Sequence, residues 1–184
     1  RGARLHPITE HTPKPLLPVG GRPLLETTVT QLAGQGFQQL VLCLNFKSEL
    51  IRQHFGDGKK FGVELHYVQE PDQPLGTAGA LSLIEPRPDA LLIVMNGDIM
   101  TTADFNRLVA FHKEHGAPAT VCLREYSYQI PYGVIDMKDG HLVGITEKPT
   151  RTDFVSAGIY VLEPRVLDLL DRGEHCDMPT LIKR

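Results

Sequence analysis

The sequence predicts an α/β fold: a mostly parallel sheet between layers of helices, with a small mixed or antiparallel extension in its second half. Short apolar runs alternate with amphipathic stretches as far as residue 124, the rhythm of strand-helix-strand units. The run at 90–95, Ala-Leu-Leu-Ile-Val-Met, is apolar on both faces, as a central parallel strand covered on both sides must be. After Tyr132 the helical stretches give way to short strands joined at Lys138-Asp139-Gly140, a hairpin signal.

The elements follow in order. Residues 23–35 read as a helix, with Pro23 in the first turn, where its missing N–H matters least, and Gly36 just past the end. Residues 39–44 read as a strand, and 48–55 as a short helix capped by Ser48. A strand at 63–67 and a short helix at 77–83 follow. Beyond the apolar run comes a helix from about 104 to 115, then a strand at 119–124. In the second half 132–137, 141–147 and 155–162 read as strands, and Pro164 begins a helix. In open sheets of this kind ligands sit beyond the carboxyl ends of the strands, so informative residues should follow strands.

Length and composition narrow the function. A chain of 184 residues with 41% apolar residues fits one domain with one sizeable core. Net charge is −3 and the basic residues form no stripe, which argues against a nucleic-acid partner. A few placed cations would still suffice for phosphate ligands. The longest apolar run is far too short to span a bilayer, and no signal peptide is visible, which points to the cytoplasm. The three cysteines, Cys43, Cys122 and Cys176, are widely spaced. Cys43 and Cys122 sit in apolar stretches and read as small hydrophobes rather than as metal or redox groups. His112 and His115 lie three apart near a helix end, but without a His-Glu-x-x-His pattern they read as solvated histidines.

Four groups of residues could do chemistry. Gly2, Arg4 and Lys14 combine a small residue with cations, which a phosphate-binding turn requires; a surface loop with ordinary basic residues has the same pattern. Glu70 precedes Leu75-Gly76-Thr77-Ala78-Gly79, where Gly76 would let backbone approach a flat base and Thr77 could cap the next helix. A plain turn with a helix cap accounts for this segment as well. Asn96-Gly97-Asp98 directly follows the apolar strand. It is a common turn, but also the place where a carboxylate could hold a hard cation such as Mg²⁺. Pro131-Tyr132-Gly133-Val134, Glu147-Lys148-Pro149 and Ala157-Gly158-Ile159-Tyr160 pair a lysine, suited to phosphate, with a glutamate, suited to sugar hydroxyls.

The opening, from Gly2-Ala3-Arg4-Leu5 through Pro7 and Thr9 to Pro13-Lys14-Pro15-Leu16-Leu17-Pro18-Val19, resembles the signature of the sugar-1-phosphate nucleotidyltransferases. That signature runs Gly-Gly-x-Gly-x-Arg-Leu, then Pro and Thr, then Pro-Lys-Pro and Leu-x-Pro-Val. The resemblance covers nearly the whole chain and implies a Rossmann-like, glycosyltransferase-A-like three-layer sandwich. It implies NTP and sugar-1-phosphate substrates and an Mg²⁺ cofactor held by Asp98. Arg4 and Lys14 would hold the triphosphate, together with Gly2, while Glu70, Gly76 and Thr77 would read the base. Tyr132, Gly133, Glu147, Lys148, Ala157 and Gly158 would form the sugar-phosphate pocket, and Arg4, Lys14, Asp98 and Lys148 would carry the catalysis.

The sequence departs from the family pattern at both ends. The family's first strand and first glycines would precede Arg1, and its second metal-binding aspartate would lie beyond Arg184, so residues 1–184 read as one catalytic domain truncated at each end. Met95-Asn96-Gly97-Asp98-Ile99-Met100-Thr101 and Asp177-Met178-Pro179 are most similar to a bacterial branch that often carries CBS domains ahead of the transferase. That branch serves surface-polysaccharide pathways, implying a GDP-sugar from mannose 1-phosphate or glucosamine 1-phosphate. A homo-oligomer is left open. Two rival readings stand beside this one: a non-catalytic homologue that senses nucleotide or sugar phosphate, and a metal-dependent glycosyltransferase. The latter usually carries Asp-x-Asp, where this chain has Asn96.

Overall fold

A computed structural model describes residues 7–184. The helix read at 23–35 forms as α1, Leu24–Gly34, directly after a tight antiparallel pair, β1 (Pro18–Val19) and β2 (Arg22–Pro23). Its buried residues, Leu24, Leu25, Thr28, Val29 and Leu32, recur at the three- and four-residue spacing that puts them on one helical face. Strand β3 (Gln39–Leu44) and strand β4 (Glu64–Gln69) pair in parallel, with helix α2 (Ser48–Phe55) in the crossover between them. Leu25 and Val29 of α1, Ile51 and Phe55 of α2, Leu44 of β3 and Leu65 of β4 bury together with Val63 as one core cluster.

A short helix α3 (Gly76–Gly79) runs into a 3-10 turn and leads to β5 (Leu92–Met95). Helix α4 (Phe105–His115) is well capped. Asp104 accepts the Arg107 N–H at 3.0 Å, and Gly116 closes the other end in the left-handed conformation. The long strand β6 (Ala119–Gln129) and the hairpin β7 (Val134–Lys138) and β8 (His141–Thr146) precede the longest strand, β9 (Thr150–Leu162). The hairpin turns through Asp139 and Gly140, both at positive φ, the two-residue geometry that matches strand twist. A 3-10 turn at Pro164–Leu169 and helix α5 (Met178–Lys183) complete the chain.

The chain divides into two compact units, one running to Thr120 and resuming at Tyr160–Arg184, the other Val121–Ile159. The boundaries fall inside β6 and β9. Among the described residues no helix is long and apolar enough to cross a membrane.

Several expectations are corrected. Ser48 is not the cap of α2 but its first residue; the cap is Lys47, in the left-handed conformation at φ 55° with no side-chain capping bond to the helix. The apolar run at 90–95 is not a central strand among the described residues. It forms β5 at the edge of the order β5-β9-β6, and its residues are half-buried. The stretch after Pro164 is a 3-10 turn, and the strands at 119 and 150 extend well beyond the lengths read from pattern. His112 is fully buried, not solvated. Its Nδ1 lies 2.8 Å from the Thr120 hydroxyl, while His115 stays exposed and stacks on Phe111.

Candidate active site

Four stretches of the larger unit, together with Ile51 of α2, line a cleft of about 440 Å³. Pro13, Lys14 and Pro15 contribute one wall; Cys43, Leu44, Asn45 and Phe46 come from the end of β3; Glu70, Pro74 and Gly76 follow β4; Gly97 and Asp98 follow β5. Three of these stretches lie at or just past the carboxyl ends of strands, where open α/β sheets present ligand-binding groups.

Lys14 opens a 3-10 turn, Lys14–Leu16, between two prolines that restrict the backbone; Leu17 donates its N–H to the Lys14 carbonyl at 3.1 Å. The Lys14 ammonium is ion-paired with the Asp98 carboxylate, and both side chains remain more than a third exposed. Each charge can therefore exchange its partner for a ligand.

Glu70 has a structural contact as well as a place in the cleft. Its Oε2 accepts the Leu75 N–H at 3.1 Å, closing the loop 70–75, while its own N–H bonds the Leu44 carbonyl at 2.8 Å. Asn45 donates its side-chain amide to the Pro71 carbonyl at 2.6 Å, so the ends of β3 and β4 are bound together on the cleft side. Burial, aided by the negative charge of Glu70, pushes the Cys43 thiol up to about 11. Cys43 is a protonated, unreactive wall group at neutral pH.

Gly76 sits at φ +79°, and a Cβ there would lie 2.6 Å from the Cys176 carbonyl and 2.8 Å from Asp177 Oδ1. Thr77 does not cap its own helix. Instead its N–H donates to Asp177 Oδ1 at 3.0 Å, and its hydroxyl accepts the Met178 N–H at 2.7 Å at the start of α5. Main-chain bonds reinforce the join: Ala78 and Gly79 both donate to the Cys176 carbonyl, and Cys176 donates to the Leu75 carbonyl.

The predicted residues of the second half belong to the smaller unit. There Glu147 faces Gly133, where an added Cβ would lie 3.1 Å from Glu147 Oε2, and Lys148 Nζ lies 3.8 Å from Glu147 Oε1. Lys148 is at φ 45°, its carbonyl accepting from the Gln129 amide at 3.1 Å. Tyr132 is exposed. Ala157 and Gly158 lie on β9, where Gly158 donates its N–H to Ser156 Oγ. Gly2 and Arg4 lie outside the described residues.

Pattern reading missed Asn45, Phe46, Pro74 and Asp177. The first two immediately follow β3, so the strand-end rule could have found them. Asp177 left no such signal, because its partner Thr77 is 100 positions away.

As a metal site, the cleft offers the Asp98 carboxylate, held here by Lys14, and among the described residues no three His, Cys, Asp or Glu side chains gather to hold an ion. Mg²⁺ is commonly held by one or two carboxylates together with substrate phosphates. The donor set fits a cation that arrives with a polyphosphate.

The fold is an α/β domain with a cleft at its strand ends, and the chain belongs to the nucleotidyl transferase family, whose model matches residues 1–179. It is 33% identical to a mannose-1-phosphate guanylyltransferase of Mycobacterium tuberculosis over 94% of this chain and 49% of that protein. It is 32% identical to a UTP–glucose-1-phosphate uridylyltransferase of Synechocystis over 97% of this chain and 50% of that protein. The chain thus spans about half the length of the curated relatives it matches. Among solved structures, a Bacillus anthracis protein assigned as a glucose-1-phosphate thymidylyltransferase, in complex with sucrose, superposes with a TM-score of 0.71. That structure is 28% identical, with 91% of this chain and 69% of that chain covered.

Proposed function

We propose that this chain is the substrate-binding and catalytic part of a sugar-1-phosphate nucleotidyltransferase, which joins an NTP to a sugar 1-phosphate and releases pyrophosphate. The observation that carries this reading is the Lys14–Asp98 pair in one cleft with Glu70 and Gly76. An exchangeable cation, an exchangeable carboxylate and a glycine-backed wall are the groups a nucleoside triphosphate requires.

In the reaction, a phosphate oxygen of the sugar 1-phosphate attacks the α-phosphorus of the NTP. The bond from that phosphorus to the bridging oxygen breaks, and pyrophosphate leaves with the electron pair. The nucleophile is already anionic, so the protein's part is to position and to stabilise charge. Lys14 holds the triphosphate and the charge that builds on the leaving group, aided by Arg4. Lys148 holds the sugar's phosphate as a compact cation, and Glu147 accepts hydroxyl protons of the sugar. Asp98 is the residue that would hold Mg²⁺. Bound there, the ion would neutralise phosphate oxygens and make the α-phosphorus more electrophilic.

The base we favour is guanine, because the Glu70 carboxylate lines the cleft and suits its N1 and N2 protons. Mannose 1-phosphate or glucosamine 1-phosphate is the favoured sugar. The guanylyltransferase names of several relatives agree with this choice, and the Synechocystis uridylyltransferase makes UTP the competing substrate. The test is pyrophosphate release by the full-length protein from GTP, UTP, TTP and CTP, each with mannose, glucosamine and glucose 1-phosphates. GTP with one of the first two sugars is expected to be fastest; silence with every pair would refute the enzyme reading.

A further inference from the structure

We propose that Asp177 is a positioning residue for nucleotide binding, holding from behind the glycine wall against which the nucleobase lies; this rests on the cleft being the nucleotide site. Gly76 lines the cleft, while Asp177 Oδ1 lies 2.8 Å from where a Gly76 Cβ would stand. At this point the wall is one glycine backbone thick, with ligand space on one side and a carboxylate on the other. The same oxygen accepts the Thr77 N–H at 3.0 Å and the Thr77 hydroxyl at 3.3 Å. The Thr77 hydroxyl in turn accepts the Met178 N–H at 2.7 Å. Asp177 and Thr77 therefore hold each other reciprocally, each satisfying a first-turn N–H of the other's helix, donors that otherwise find no intrahelical partner.

Main-chain bonds between Cys176 and Leu75, Ala78 and Gly79 already secure the segment without any side chain. The added contribution of Asp177 is the exact placement of the Gly76–Thr77 peptide. A wall with no side chain admits close approach of a flat ring, so small shifts of that peptide alter contact with the base directly. The sugar phosphate and the reacting phosphorus do not depend on it. Loss of Asp177 should therefore appear in nucleotide affinity and base preference and leave turnover intact, the signature of a contact made equally in ground and transition states.

The experiment is steady-state pyrophosphate release by the full-length protein, varying each of the four NTPs at saturating mannose, glucosamine or glucose 1-phosphate, whichever is used, and then the converse. Asp177→Ala is expected to raise KM for the preferred NTP about tenfold and to narrow the kcat/KM ratio between preferred and poorest NTP. KM for the sugar phosphate and kcat should stay within about twofold of wild type. Asp177→Asn, which keeps an oxygen acceptor, and Thr77→Ser, which keeps the hydroxyl, should recover most of the affinity; Thr77→Val should not. An Asp177→Ala enzyme with wild-type NTP KM and base preference overturns the proposal, as does a loss shared equally by both substrates and kcat. If Asp177→Ala does not fold, Thr77→Val against Thr77→Ser decides by the same readout. A wild-type protein that releases no pyrophosphate from any pair defeats the enzyme reading instead. NTP binding by wild type and Asp177→Ala, measured by calorimetry, then decides the positioning role: weaker binding by the variant supports it, while equal binding or none overturns it.

Discussion

Lys14 and Asp98, 84 positions apart in the chain, are ion-paired within the cleft they both line. Exposed pairs of this kind contribute only about 0–1 kcal/mol to stability, so the pairing is better explained by what each group can bind than by what it holds together. Lys14→Ala and Asp98→Asn should each lower pyrophosphate release at least about a hundredfold, the range for losing one placed electrostatic group. The urea midpoint should hardly move. Retained turnover with a lowered midpoint would assign the pair to structure.

Glu70 separates charge from shape. Glu70→Gln keeps an oxygen to accept the Leu75 N–H at the position now bonded at 3.1 Å but removes the negative charge. If the carboxylate reads guanine, kcat/KM for GTP should fall by about tenfold, as expected for a charge-assisted hydrogen bond, with UTP much less affected. Glu70→Ala, which also frees the loop, should weaken all NTPs. Equal losses for GTP and UTP in the glutamine variant would remove Glu70 from base recognition.

Gly79→Ala tests how tightly the chain is joined behind the cleft. An added Cβ would lie 2.3 Å from the Glu174 carbonyl oxygen, a main-chain atom that cannot step aside. The variant should be less stable by roughly 1–3 kcal/mol, the usual cost of overpacking. Gly34→Ala, where nothing lies within 4 Å, should be neutral or stabilised by about 0.5 kcal/mol. Urea denaturation of the two proteins makes the comparison.

Cys43 gives a pH dependence of definite sign. Its folded thiol is raised by burial, and by the charge of Glu70, from 9.0 to about 11. Between those values the unfolded chain loses its thiol proton while the folded chain keeps it, so stability falls as pH rises. The contribution is fully present below about 9 and lost through about 11. Denaturation at pH 8 and pH 10.5 should show a smaller decline for Cys43→Ala than for wild type, and Cys43 should react slowly with alkylating reagents at pH 8.

Much of the fold was legible because its signals are local. Gln39–Leu44 and Ser48–Phe55 form with the limits read from pattern, and the Asp104 cap and Gly116 stop of α4 act within one turn of the residues they serve. Ser48 misled because a capping residue type also occurs inside helices, and here Lys47 took the left-handed entry. His112 misled because a polar residue near a helix end reads as exposed, whereas Thr120 gives it a partner in the interior. In the cleft, Lys14, Glu70, Gly76 and Asp98 were picked from the chain and are brought together. Asp177 was noted only within the resemblance of Asp177-Met178-Pro179 and not as a site residue, because its contact with Thr77 is one that only the folded chain creates.

The join between Leu75–Gly79 and residues 174–178 relies largely on peptide groups, which every amino acid except proline supplies alike. A comprehensive substitution scan should accordingly show a sharp contrast within a few positions: intolerance at Gly76 and Gly79, where any side chain collides, beside broad freedom at the exposed neighbour His175. Outside Gly76, Thr77, Gly79 and Asp177, homologues could drift widely in this stretch while preserving the same main-chain wiring.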